Sequence, residues 1–106
     1  MDTTAVNEAA SLIWQYWQTK RQLPLLPTRC RPVTRADGFA VQAAVAARSG
    51  QTTRGWKIAA SSVAGQKHIG VDGPLAGRLL ADRVISAGSA AANAIDLSRN
   101  ILRVAE

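Results

Sequence analysis

The stretch that decides the fold is GWKIAASS at positions 55–62, a short apolar run that contains one lysine and ends in two hydroxyl groups. Side chains alternate along a strand, which would place Lys57 on one face and Ile58 on the other. An ammonium group removed from water costs several kcal/mol unless an anion or hydrogen-bond acceptors meet it. The run therefore predicts a short buried strand over 56–60, with Lys57 directed at an anionic group.

Downstream of this strand, serine and glycine residues predict a turn of helix followed by a tight loop. Ser61 or Ser62 is a candidate N-cap, because a serine hydroxyl accepts a hydrogen bond from a free N–H group of the first turn. The helix is expected to continue through Gln66 to His68, and a surface or capping position is the simplest interpretation of that histidine. The sequence GVDGP at 70–74 then predicts a turn.

Beyond Pro74 the pattern changes to β-branched residues and leucine. These residues predict two or three strands within 78–85 and 94–105. Apolar residues continue almost to Glu106 without a turn signal, so the chain is expected to stop within a strand, as a truncated protein would.

Upstream of the strand, the sequence predicts a helix and a connector. Apolar residues recur at i, i+4, i+7 and i+11 from Val6 to Trp17, which predicts an amphipathic helix over about 4–21. Three prolines then predict an extended connector over 22–33, because proline lacks an N–H donor and restricts the residue before it.

A second helix is predicted from its ends. Thr34 and Asp37 have the spacing of a capping box, in which each side chain bonds a backbone N–H group of the other residue. Gly50 is a typical residue to end a helix. These signals predict a helix over about 35–49.

Composition limits the class of protein. The chain has 106 residues, of which 47% are hydrophobic and 19% charged, so a single domain over 1–106 is expected. No apolar run approaches the roughly 20 residues that span a bilayer, and the first residues lack a secretory pattern, which predicts a cytoplasmic protein that does not enter membranes. Cys30 is the only cysteine, which excludes an internal disulfide and a zinc site with paired cysteines.

The net charge of +6 raises the question of an anionic partner. Basic residues are densest between Lys20 and Arg35, but prolines interrupt this segment and no aromatic residues alternate with the charges. Single-strand binders combine charge with aromatic stacking platforms. The pattern therefore favours a solvated connector over nucleic-acid binding.

Two motifs resemble one protein family. GWKIAASS at 55–62 with GVDGP at 70–74, and GFAVQ at 38–42, resemble the 2-keto-4-pentenoate hydratase and 4-oxalocrotonate decarboxylase branch of the fumarylacetoacetate hydrolase family. The order helix, helix, strand, short helix also agrees with that family. The resemblance implies an α+β fold in which two N-terminal helices pack on part of a mixed β-roll, here incomplete.

The resemblance also implies a chemistry. Members of this family hold a divalent cation, usually Mg or Mn, with carboxylates, and the metal acts as a Lewis acid on a 2-oxo acid. The implied reaction hydrates a 2-hydroxydienoate to a 4-hydroxy-2-oxo acid in the catabolism of aromatic compounds. A homo-oligomer, or association with a longer homologue, is expected.

Four residues in the strand and loop region match site positions of the family or lie beside them. Lys57 is expected to stabilise charge on the substrate and to position it, although a lysine that extends from a strand edge into water fits the pattern too. Ser61 and Ser62 are candidates to bind the substrate carboxylate, or to cap the helix. Asp72 is a candidate for acid–base work, with a turn-forming aspartate as the simpler interpretation.

The chain departs from the family pattern at two places. Glu106 matches the first carboxylate of a Glu-x-Glu metal pair, but the second glutamate and a later third carboxylate are absent. The chain alone is therefore expected to bind metal poorly and to be catalytically incomplete. Leu75 stands where pentenoate hydratases carry an aspartate, and an apolar residue at this position fits a 4-oxalocrotonate decarboxylase or an uncharacterised member of the family at least as well. A third hypothesis is a non-catalytic binding or assembly subunit, in which the helices and their tryptophans dock on a longer homologue.

Overall fold

The computed structural model describes residues 1–88, so the strand predicted over 94–105 lies outside the described residues. The described part contains three α-helices, one two-stranded antiparallel sheet and two short 3₁₀ turns, which confirms the α+β class. It divides into a helical unit built on Met1–Gly50 and a strand unit, Gln51–Val84. Within residues 1–88, no helix is both long enough and apolar enough to cross a membrane.

Helix α1 spans Thr3–Gln18 and ends earlier than the predicted 4–21. The reason is local, because Lys20 has a positive φ of 56° and turns the chain out of the helix. The N–H group of Arg21 then donates to the carbonyl of Tyr16 at 3.0 Å, which satisfies a carbonyl of the last turn.

The connector after α1 is not extended throughout, because Thr28–Cys30 form a 3₁₀ turn. Arg29 in this turn forms a bidentate ion pair with Glu8 of α1, with Nε at 3.1 Å from Oε2. The hydrogen bond and the charge of Glu8 raise the pKa of Arg29. Arg31 donates from Nε and Nη2 to the carbonyl of Leu26, at 3.1 and 2.8 Å. Arg29 therefore holds the connector against α1, and Arg31 stabilises the fold within the connector.

Helix α2 spans Arg35–Ser49, as predicted, and its capping box is confirmed. The Asp37 N–H group donates to Thr34 Oγ1 at 3.1 Å, and Asp37 Oδ2 accepts from the Thr34 N–H group at 2.9 Å. The Met1 amino group lies 3.1 Å from Asp37 Oδ1. The backbone hydrogen bond from Thr34, followed by the bond with the amino terminus, holds the pKa of Asp37 far below its usual range. Gly50 ends the helix with a φ of 65°.

Small residues form the centre of the helical unit, where α1 and α2 pack together. Small side chains allow two helices to approach closely, so a compact core forms from little apolar volume. Trp14 and Trp17 pack against this core and meet edge to face, with ring centroids 5.6 Å apart. The buried residues are Ala9, Ala10, Cys30, Val41 and Val45.

The strand unit begins with β1 at Thr53–Ala59, continues through α3 at Val63–Ile69, and returns as β2 at Leu75–Leu80. The prediction of a strand over 78–85 was wrong in its position. The strand starts at Leu75 because it pairs with the end of β1, and it stops where Ala81–Arg83 form a 3₁₀ turn.

The sheet is antiparallel, and its register pairs Ala59 with Leu75 and Lys57 with Gly77. Trp56 pairs with Arg78, whose guanidinium lies over the indole ring at 4.5 Å from its centroid. A cation over an aromatic face is attracted to the ring by its quadrupole. In the described residues the sheet has two strands, and the mixed β-roll stays a prediction.

We expect Val41→Ala to lower the free energy of unfolding of the helical unit by about 2 kcal/mol, because it removes two buried methyl groups and leaves a cavity. Val41 is 4% exposed, whereas Val33 is 90% exposed and provides the matched control. Val33→Ala should change stability by less than about 0.5 kcal/mol. Urea unfolding followed by helical circular dichroism measures both, and equal losses would contradict the assigned core.

The depressed pKa of Asp37 makes the helical unit sensitive to acid. A carboxyl group whose pKa is lower in the folded state stabilises the fold above its unfolded pKa of about 3.9, and this stabilisation is lost as the pH falls below that value. Asp37→Asn should therefore be less stable than the wild type at neutral pH, with a difference that narrows in acid. Unfolding curves at several pH values test this, and a difference independent of pH would refute it.

Candidate functional site

The candidate site is the β1–α3 turn, residues 59–62, together with the face of the sheet that carries Lys57. Ala60 in this turn has a φ of 54°, in the left-handed region. An L-residue with a Cβ atom adopts this conformation at a cost of roughly 1–2 kcal/mol. Neighbouring contacts must therefore hold the turn in place, and backbone strain of this kind often occurs at functional sites.

The start of α3 shows which serine caps the helix. Ser62 is the N-cap, and its Oγ accepts a hydrogen bond from the Gly65 N–H group at 3.0 Å. Ser61 takes no part in this cap and is exposed. A Cβ atom at Gly65 would lie 3.2 Å from Ser62 Oγ and 3.5 Å from Ala60 Cα, so a glycine fits closely here.

Gln66 forms hydrogen bonds with residues on both sides of α3. Its side-chain Nε2 donates to the carbonyl of Ala60 at 3.0 Å, immediately after β1. Its backbone carbonyl accepts from the Val71 N–H group at 2.9 Å, just beyond α3. Sequence reasoning placed Gln66 within the short helix without a role. The signal that could have found it is its position four residues after the N-cap Ser62, from which a long amide side chain reaches back over the first turn.

The prediction that β1 is buried was wrong. Trp56 is 48% exposed and Ile58 is 56% exposed, and Lys57 between them is exposed as well. A two-stranded sheet leaves much of its surface open unless another layer covers it. Burial therefore does not force an anion to meet Lys57 in this structure, and Lys57 is an exposed strand lysine.

The face of the sheet that carries Lys57 is made of small and apolar residues. Gly77 lies directly opposite Lys57, while Gly55 and Ala59 are two residues away on either side. A Cβ atom at Gly77 would meet only the Lys57 backbone oxygen, at 3.8 Å. Leu75 pairs with Ala59 and belongs to the same face by strand alternation. Gly55 is paired with a second leucine, so the small residues around Lys57 lie between two leucines on this face.

The other candidate residues lie elsewhere in the strand unit. His68 is exposed on α3, and Asp72 is exposed in the bend between α3 and β2. The role predicted for Asp72 in acid–base work stays a prediction. Glu106 lies outside the described residues.

A metal site is not assembled by the part of the chain that the structure describes. Within residues 1–88, no group of three or more His, Cys, Asp or Glu side chains is placed to hold a metal ion. Mg²⁺ and Mn²⁺ require several oxygen ligands, which these residues do not bring together. Glu106, the metal ligand predicted from the sequence, lies outside the described residues, and Mg or Mn stays a prediction.

No protein-family model, curated protein or solved structure matches this chain. The resemblance described above thus depends on the two quoted motifs and on the order of elements.

The close fit at Gly65 predicts a contrast between two glycines in helices. Gly38 in α2 has nothing within 4 Å of a built Cβ atom, so Gly38→Ala should stabilise the protein by about 0.5–1 kcal/mol through helix propensity. Gly65→Ala should not stabilise the protein in this way, because the new methyl group displaces the Ser62 hydroxyl that caps α3. Amide hydrogen exchange of α2 and α3 measures both effects. Equal stabilisation by the two variants would contradict the close contact.

Proposed function

We propose that this chain supplies the lysine and hydroxyl groups of a hydratase-like site for a small 2-oxo acid, in the cytoplasmic catabolism of aromatic compounds. The reaction is hydration of a 2-hydroxydienoate to a 4-hydroxy-2-oxo acid. One observation carries the proposal: Lys57 lies opposite Gly77 on the sheet, and the exposed Ser61 follows the strained Ala60 at the end of the same strand.

The chemistry of these two groups suits an oxo acid. The Lys57 ammonium can form charge-assisted hydrogen bonds with a carboxylate or with the negative charge of a dienolate. The Ser61 hydroxyl can donate a hydrogen bond to the same carboxylate. Four residues of chain separate their Cα atoms by at most roughly 14 Å, a span that a lysine side chain and a small acid can bridge.

The family resemblance adds a divalent metal, which would polarise the keto oxygen when bound. The described residues do not fit such an ion, so we assign them only to binding and charge stabilisation. The chain alone is expected to be catalytically incomplete, and homo-oligomerisation or a longer homologue would have to complete the site.

Two observations support alternative functions. Leu75 shares the face of Lys57 and cannot exchange protons, which favours a 4-oxalocrotonate decarboxylase-like reaction as much as hydration. Trp56 and Ile58 are exposed on the strand unit, which favours a non-catalytic binding or assembly subunit. In an assay with Mg²⁺ or Mn²⁺, consumption of a dienoate supports the hydratase and release of carbon dioxide supports the decarboxylase. Because the chain alone is expected to be catalytically incomplete, the binding subunit is tested separately, by co-purification with a longer homologue.

We expect the isotope-labelled chain to bind 2-oxopentanoate, a stable 2-oxo acid, with saturable shifts of the Lys57 and Ser61 amide resonances. Lys57→Gln should weaken this binding about tenfold, because it removes a charge-assisted hydrogen bond. The titration contains no metal, so it tests the two protein groups by themselves.

Lys67→Gln is the matched control, because Lys67 is an exposed lysine on α3 and the variant changes the net charge equally. It should alter the dissociation constant by less than about twofold. Equal weakening by both variants would mean that the acid responds only to overall charge. A lack of saturable shifts in the wild type would remove the proposed function.

A further inference from the structure

We infer that Gln66 is a positioning residue that holds the strained Ala60 turn and thereby fixes Ser61 relative to Lys57. The inference deepens the proposed function, on which its ligand-binding readout depends. Its structural basis is the hydrogen bond from Gln66 Nε2 to the carbonyl of Ala60, at 3.0 Å and partly buried.

The hydrogen bond acts at the residue that needs support. Ala60 has a positive φ of 54°, which an alanine leaves readily when its neighbours do not hold it. A carbonyl oxygen can only accept, so the amide nitrogen of Gln66 is the group that must face it. The bond therefore opposes rotation of the peptide group that joins Ala60 to Ser61.

Gln66 is itself anchored in the helix from which its side chain extends. Its N–H group donates to the carbonyl of Ser62 at 2.9 Å, and its carbonyl accepts from the Val71 N–H group at 2.9 Å. The side chain thus extends from a backbone that is fixed at both ends of α3. Because the donor is held in this way, its hydrogen bond fixes the turn relative to the helix.

The turn determines where the candidate ligand groups lie. Lys57 belongs to β1, whose register with β2 fixes its backbone. Ser61 follows Ala60, so rotation at Ala60 would carry the Ser61 hydroxyl away from its position relative to the strand. Loss of the Gln66 side-chain hydrogen bond should therefore change the position of Ser61 more than the position of Lys57.

Gln66→Met tests the inference, because methionine has a similar length and lacks the donor. We expect faster amide hydrogen exchange of residues 60–62 by about tenfold, and about fivefold weaker binding of 2-oxopentanoate. Lys67→Met, at the neighbouring exposed position of α3, is the matched control and should change neither quantity. Ala60→Gly should partly restore both in the Gln66→Met background, because glycine adopts a positive φ without strain.

The outcomes separate the two proposals. Unchanged exchange at residues 60–62 in Gln66→Met would overturn the positioning role, and so would an equal rise across the whole strand unit. Unchanged 2-oxopentanoate affinity in a variant with a loosened turn would also overturn it. A different result would separate the two. If the wild type does not bind the acid, the proposed function fails. If Gln66→Met still speeds exchange at residues 60–62 and Ala60→Gly reverses this, Gln66 nevertheless stabilises the turn. If Gln66→Met does not fold, recovery of the fold by Ala60→Gly supports the inference, and no recovery overturns it.

Discussion

The antiparallel pairing of β1 with β2 is the constraint on which the strand unit depends. The chain leaves the sheet after Ala59 and returns at Leu75, and these two residues pair directly. The segment between them must therefore begin and end at neighbouring points, which requires a sharp turn at its start. Ala60 provides that turn with a left-handed conformation. The same register places Gly77 opposite Lys57, so one pair of strands determines both the path of the loop and the space around the lysine.

The helical unit is held by a different balance of interactions. Its core consists of small residues, and α2 is fastened to α1 by a hydrogen bond from Arg48 Nη2 to the carbonyl of Asn7 at 3.0 Å. Arg29 and Arg31, from the most basic segment of the sequence, bond to Glu8 and to the carbonyl of Leu26. Much of the positive charge in this segment thus supports the fold of the connector. This use of the arginines agrees with the interpretation of the segment as a connector.

The exposure of Lys57 limits how strongly the strand unit can bind an anion. Water and salt screen an exposed charge, so attraction between Lys57 and an anion is weaker than it would be in a closed pocket. Stronger binding would require a surface that covers the sheet, such as another copy of the chain or a longer homologue. By strand alternation the exposed Trp56 and Ile58 lie on the opposite face of the sheet, so they offer apolar area for association but do not cover Lys57.

The sequence alone determined the features that depend on neighbouring residues. The capping box of Thr34 and Asp37, the end of α2 at Gly50 and the short helix after β1 follow from bonds between residues three or four positions apart. Capping of α3 by Ser62 was one of two alternatives that such local signals left open. The early end of α1 was missed, because a positive φ at Lys20 has no clear signature in a lysine.

Tertiary structure decided the rest. The start of β2 at Leu75, the exposure of Lys57 and the bond from Gln66 to Ala60 depend on which distant segments meet and how many layers cover the sheet. A pattern of apolar residues indicates that a strand can be buried, but burial requires a second surface that the strand's own sequence does not specify.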